Sequence, residues 1–330
     1  MTARAAIDLL RERMNEVIIG QEHVIDRLIL GLLADGNVLV EGLPGLAKTQ
    51  SVKALARNIE SKFSRIQFTP DLSPTEVLGS ERLLESDGKS SYKFFPGPIF
   101  GNIVLADEIN RAPSQVQAAM LEAMEERQVT IVGKTYKLPE LFMVMATQNP
   151  IEEEGTFPLS EAQKDRFLMH VKIDYVNMPS EFKMMKMAEE QRYNKPQEQS
   201  KISQALIFAA RKEASSVTLS DDLGKYIVEL VFVTRYPLRY SHQLEVIIER
   251  GVSPRATLAL SHCAQIHAWL EGRDAVTVHD IHAIVHDVFR HRITLTEHAL
   301  FNHKTNDEVI DLVLGLVKVP SPSDIKEESK

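Results

Sequence analysis

The chain has 330 residues, 44% hydrophobic and 25% charged, a balance that excludes a disordered or fibrous polymer and leaves room for two domains. Its 38 basic and 46 acidic residues give a formal charge of −8, which argues against a broad nucleic-acid surface, since that needs clustered Lys and Arg. The single cysteine, Cys263, forms no internal disulfide, suits a reducing compartment and reads as a small buried apolar residue.

The opening MTARAAIDLLRERMNEVIIG spreads its charges and has no apolar core, so it does not read as a signal peptide. The longest apolar run, VIDRLILGLLADGNVLV, is broken by charges and too short to cross a bilayer. The expectation is a cytoplasmic protein without a membrane span.

In chain order, an amphipathic helix comes first. A second helix follows over Glu22 to Ala34, with Val24, Ile25, Leu28 and Leu32 at helical spacing. Asn37 to Glu41 (NVLVE) is a buried strand ending in a Gly-rich turn. Ser64–Phe68, Asn102–Asp107, Leu141–Thr147 and Leu168–Ile173 read as four more buried strands. Helices alternating with apolar strands imply an α/β fold with a parallel sheet. Two β-hairpins interrupt it, over Glu81–Phe95 around Asp87-Gly88 and over Arg127–Leu138 around Gly133-Lys134.

Near Asn177–Ser180 the pattern turns helical, with breaks at NKPQ (194–197), TLSDD (218–222), SPR (253–255) and TVHD (277–280). Ser220 and Thr277 are plausible N-caps. The expected organisation is a core over 1–178 and an all-helical domain over 179–330, whose Pro/Ser-rich end frays.

The most specific motif is GLPGLAKT, which is Gly42, Leu43, Pro44, Gly45, Leu46, Ala47, Lys48 and Thr49, with Gln50 opening the next helix. Glycines let backbone N–H groups turn inward around phosphate oxygens, and the helix N-terminus faces the anion. Lys48 reaches the β- and γ-phosphates and the Thr49 hydroxyl suits Mg²⁺. Ala47 stands where the pattern has its second glycine, a change that helix-start geometry tolerates. A chance Gly-rich turn is the rival reading, and the strand Ile103–Asp107 weakens it. There Asp107 can hold the ion and Glu108 can polarise the attacking water. Asn149, beyond a third buried strand, can orient that water or simply form an Asn-Pro turn. Arg166 and Arg255 are either transition-state arginines or surface salt-bridge partners.

His282 and His286 are spaced to share a helix face, although no third metal ligand accompanies them, and packing is the default for the histidines after residue 260. Met184, Met185 and Met187 suit either a soft binding surface or packing. Arg111 either reaches a neighbouring subunit or pins its own loop.

Taken together, VIIGQE, EGLPGLAKT, FFPGPIFGNIVLADEINRAP, LEAMEERQVTI, ATQNPIEEEGTFPLSEAQKDRF and GVSPRATLAL resemble the AAA+ superfamily and, more narrowly, the MoxR family of bacterial ATPases, from Val17 to about Ile293. The resemblance implies a five-stranded parallel core with a helical lid, usually a hexameric ring, and Mg²⁺-dependent ATP hydrolysis. It places Ile18, Ile19 and Gly20 at the adenine pocket. Asn149 becomes sensor 1, Arg166 the arginine finger and Arg255 sensor 2, and Ala47 falls within the family's habit. The hairpins correspond to the helix-2 insert and the pre-sensor-1 hairpin, which face the pore or substrate side in related rings. The implied role is chaperone-like maturation, often with partners bearing von Willebrand A domains. Three other readings stay open: a nucleic-acid motor using Lys89, Lys134 and Lys137, a non-hydrolysing nucleotide switch, and a metal-chelatase subunit.

Overall fold

The computed structural model describes residues 1–43, 45–46, 48–86, 89–148, 157–191 and 199–320. The expectations at Asp87-Gly88, Asn149, 194–197 and the last ten residues lie outside that set, as do Pro44 and Ala47.

The chain opens with α1 (Ala3–Val17), where the Thr2 hydroxyl accepts the Ala5 N–H and Ala6, Ile7, Leu10 and Met14 form the buried stripe. Then come α2 (Glu22–Leu33), β1 (Val38–Gly42), α3 (Lys48–Asn58), β2 (Phe63–Gln67) and α4 (Pro74–Leu78). The hairpin β3 (Gly79–Ser86) and β4 (Lys89–Pro96) precedes β5 (Ile103–Asp107) and α5 (Ser114–Glu126). A second hairpin, β6 (Gln128–Ile131) and β7 (Lys134–Lys137), leads to β8 (Met143–Gln148), α6 (Glu161–Lys164), β9 (Met169–Ile173) and α7 (Met178–Gln191). The remaining elements are α8 (Gln204–Ser215), α9 (Asp221–Arg235), α10 (His242–Ile247), β10 (Ile248–Arg250), α11 (Pro254–Leu270), α12 (Val278–Phe289), β11 (Thr294–Leu295), α13 (Glu297–Phe301) and α14 (Asn306–Leu316).

Packing divides the chain into two compact units. The first holds residues 1–167 and 171–208, the second 168–170 and 209–330. The change to helical order comes earlier, at Met178, and α7 nevertheless packs with the first unit.

The five strands expected from the apolar runs form one sheet in the order β2-β5-β8-β1-β9, with parallel pairing along β2-β5-β8-β1. Strands β5 and β8 are buried at every residue, which is why their sequences run apolar without alternation. One side of the sheet packs Val104, Ala106, Val144 and Phe142 against Val116, Met120 and Met124 of α5. Burying such side chains contributes roughly 1.5–3 kcal/mol each.

Both hairpins form. The second turns at Val132 and Gly133, whose φ values are 48° and 75°, one residue before the expected Gly133-Lys134. A two-residue turn of this hand needs positive φ at both central positions, and Lys134 already pairs with Ile131. The two hairpins touch. Phe94 and Tyr136 stack with centroids 3.9 Å apart, and Lys134 Nζ lies 3.1 Å from Glu81 Oε1. That carboxylate holds the Lys134 ammonium above its ordinary range. On the same face of β3-β4, Leu83 and Tyr92 form an exposed cross-strand pair.

The first hairpin leaves the core through a narrow neck. A Cβ on Gly79 (φ 98°) would lie 2.3 Å from the Phe95 carbonyl oxygen, and one on Gly97 would lie 2.3 Å from that of Val77.

In the second unit, Ser220 accepts the Leu223 N–H, and Thr277 forms a capping box with Asp280. Fully buried Asp280 also accepts from Arg273 Nη1 and Nη2 at 2.6 and 2.5 Å and from His267 Nδ1 at 2.6 Å. Cys263 is buried. This half carries one short antiparallel pair, β10-β11, among its helices. His282 and His286 engage separate partners, Tyr226 Oη at 2.7 Å and Asp311 Oδ1 at 2.9 Å.

Candidate nucleotide site

Parallel strands place the ends of β1, β8 and β5 along one edge of the sheet, because Glu41 pairs with Gln148 and Ala106 with Ala146. Ligands of open α/β sheets bind outside such carboxyl ends.

The Gly42–Thr49 loop leaves β1 there. Gly42 sits tightly against β9, where a Cβ would meet the Ile173 carbonyl oxygen at 2.8 Å. Gly45 takes φ 87°, the left-handed region, and α3 begins at Lys48. The Lys48 side chain is buried and donates to Gly42 O at 2.7 Å and Gln148 O at 3.5 Å.

Asp107 is the last residue of β5 and is buried. Its Oδ1 accepts the Thr147 hydroxyl at 2.8 Å, and its Oδ2 accepts Arg65 Nη2 and Nε at 2.7 and 3.1 Å. Glu108 follows at φ 59°, ψ 50°, a left-handed conformation that costs a non-glycine residue of order 1–3 kcal/mol. It is held from three sides. Its N–H donates to Thr147 Oγ1 at 2.9 Å, and its Oε2 takes Gln67 Nε2 at 3.1 Å and Arg111 Nε at 3.2 Å. Arg111 thus contacts its own loop.

Beside the loop lies a cavity of about 500 Å³, walled by Ile18, Ile19, Gly45, Leu46 and Gln50 on one side and by Tyr175, Val176, Glu181, Met184 and Met187 on the other. The lining is mainly apolar, suited to a flat heteroaromatic base. Gly20, expected at the same pocket, is not among the lining residues; at φ 73° it follows Ile19, and a Cβ there would lie 2.7 Å from Ser180 Cβ. Leu43 is exposed and is not among the lining residues.

The donor set fits a nucleotide with a hard divalent cation: a buried ammonium, a helix N-terminus, the Thr49 hydroxyl and the Asp107 carboxylate. Arg166 pairs with Glu125 Oε2 of α5 at 2.7 Å. Arg255 sits in the first turn of α11 in the second unit, and Asn149 lies outside the described residues. Sequence reasoning missed Thr147, Arg65 and Gln67, and it left Met184 and Met187 undecided.

Sheet order, P-loop and the acidic end of β5 define a nucleotide-binding ATPase core. Residues 37–169 match the ATPase family associated with various cellular activities (AAA), and residues 244–313 match the AAA lid domain. The chain is 39% identical to the protein named Chaperone MoxR1 of Mycobacterium tuberculosis, covering 96% of this chain and 82% of that one. It is 33% identical to Protein MoxR of Paracoccus denitrificans, covering 86% and 87%. A crystal structure described as a candidate ATPase from Cytophaga hutchinsonii superposes with a TM-score of 0.89 at 40% identity, covering 97% of this chain and 96% of that one. The chain belongs to the MoxR family of AAA+ ATPases. Among the described residues no helix is long and apolar enough to cross a membrane.

Proposed function

We propose that this ATPase hydrolyses ATP with Mg²⁺ as a cytoplasmic, hexameric ring and spends the energy remodelling a protein client, one with a von Willebrand A domain. The observation that carries the catalytic part is the anchoring of Lys48 and Asp107 on consecutive residues of β8, Gln148 and Thr147.

In this reading Lys48 binds the terminal phosphates and Ile18, Ile19, Met184 and Met187 seat the base. Thr49 and Asp107 hold the cation, which when bound draws charge from the phosphate oxygens. Glu108 accepts a proton from the attacking water and keeps it aimed, while Asn149 supports that water. Arg166 acts from a neighbouring subunit after leaving Glu125, and Arg255 supplies a second positive charge from the lid. Exposed Leu83, Tyr92 and Val132 on the hairpins supply apolar contact area for a polypeptide. Lys134 is already paired with Glu81, which weakens the nucleic-acid reading.

Phosphate release by Glu108→Gln protein tests the reading. The expected result is retained ATP binding with turnover lower by about 10²–10⁴-fold, the usual worth of a positioned base. Undiminished turnover rules the assignment out. Mass measurement with and without ATP tests the ring.

A further inference from the structure

Both oxygens of Asp107 are already spoken for within the chain. Thr147 occupies Oδ1, and Oδ2 receives two N–H groups from the one guanidinium of Arg65. Thr147 is fully buried, so its bond is a fixture. Arg65 is different. Its side chain is 45% exposed against 11% for Asp107, and it lies on β2, the sheet's edge strand, paired in register with Leu105. It is tied sideways to Gln67 Oε1 at 2.5 Å, so it has a second acceptor within reach. A guanidinium and a divalent cation cannot share one carboxylate oxygen without strong like-charge repulsion in a partly buried site.

We propose that Arg65 is an exchangeable counter-ion of Asp107: it neutralises the carboxylate, and the divalent cation displaces it toward Gln67 and solvent. This rests on the reading of Asp107 as a cation ligand. The consequence is selective loading. The ion alone competes poorly with Arg65, whereas the ion carried on nucleotide phosphates brings the negative charge that compensates for moving the arginine. A competitor that occupies the ligand most of the time lowers apparent affinity by the fraction it leaves accessible, so Arg65 held nine times in ten weakens the bare ion about tenfold.

The test is Mn²⁺ binding, read from loss of the free-ion electron paramagnetic resonance signal, without nucleotide and with a slowly hydrolysed ATP analogue. Without nucleotide, Arg65→Gln binds Mn²⁺ about tenfold more tightly than the parent, and Arg65→Lys falls between them. Adding Asp107→Asn removes the gain. Lys62→Gln, which deletes the same charge at the far end of the strand, changes nothing.

Equal Mn²⁺ affinity in the parent, Arg65→Gln and Arg65→Lys overturns the exchange, as does an equal gain from Lys62→Gln. If Asp107→Asn alters Mn²⁺ loading in neither background, with or without the analogue, the assignment of Asp107 itself has failed. That outcome is separable from failure of Arg65 alone, in which Asp107→Asn still weakens loading.

Discussion

Thr147 donates its hydroxyl to Asp107 Oδ1 at 2.8 Å, and its own Oγ1 accepts the N–H of the residue after that aspartate, Glu108, at 2.9 Å. One buried β8 side chain therefore sets both the rotamer of a carboxylate and the left-handed turn that follows it.

Replacing Thr147 by Val keeps the shape but strands the Glu108 N–H and one Asp107 oxygen. A cost of about 1–3 kcal/mol in stability is expected from the unsatisfied groups. ATPase kcat should fall at least tenfold while Thr147→Ser stays near the parent. Thermal melts and steady-state kinetics decide it; a Val variant with parental kcat removes Thr147 from the positioning of Glu108.

The cavity predicts a split between binding and turnover. Met184→Ala and Met187→Ala each remove apolar area from the cavity wall proposed to seat the base, so nucleotide Kd should rise several-fold, at roughly 25 cal/mol per Å² exposed. Saturating kcat should stay within a factor of two. A large kcat loss with unchanged Kd assigns these side chains to something other than base seating.

The stack of Phe94 on Tyr136 predicts that the hairpins move together. Tyr136→Ala should speed amide exchange in β3 and β4 about tenfold or more, given an aromatic pair worth around 0.5–1.5 kcal/mol and the loss of the adjoining Tyr136 contact with Glu81. Basal ATP turnover should not change. Exchange confined to β6 and β7 shows that the contact couples nothing.

Asp280 sets a pH signature for the second unit. Burial pushes its carboxyl up, but Arg273, His267 and Thr277 outweigh that and hold it well below the usual carboxylate range. A depressed folded-state value gives stability that is fully present above the unfolded value near 3.8 and is lost as pH falls below it. Asp280→Asn should cost around 1–3 kcal/mol at pH 7, because it removes the charge facing the part-exposed Arg273 and leaves a buried donor unmatched. The gap in Tm from the parent should hold from pH 8 to 5 and narrow below about pH 4. A gap as wide at pH 3 as at pH 7 contradicts this.

Much of the fold was legible because strands buried on both faces must be apolar throughout, and Ile103–Ala106 and Met143–Ala146 meet that condition. The P-loop and Asp107-Glu108 were legible because phosphate chemistry demands those groups at those spacings. Thr147 was not. At the end of an apolar strand a β-branched residue looks like any strand former, and its hydroxyl acquires meaning only once β5 is known to lie beside β8. Arg65 and Gln67 alternate onto one face of β2, but their acceptors follow from strand order, a tertiary fact. Helix α4 carries a capping box at Ser73 and Glu76, yet five residues are too few for periodicity to reinforce it. The methionines of α7 wall the cavity because that helix packs with the first unit, beyond the point where the sequence changes character.

The pinch formed by Gly79 and Gly97 sets the root of the first hairpin. Both chains of the first hairpin pass a gap that has no room for one methyl group on either side. Beyond that neck the exposed pair Leu83 and Tyr92 faces solvent, while Phe94 and Glu81 stay tied to the second hairpin. The neck thus fixes where both arms leave the core, and neither position has space for a residue larger than glycine.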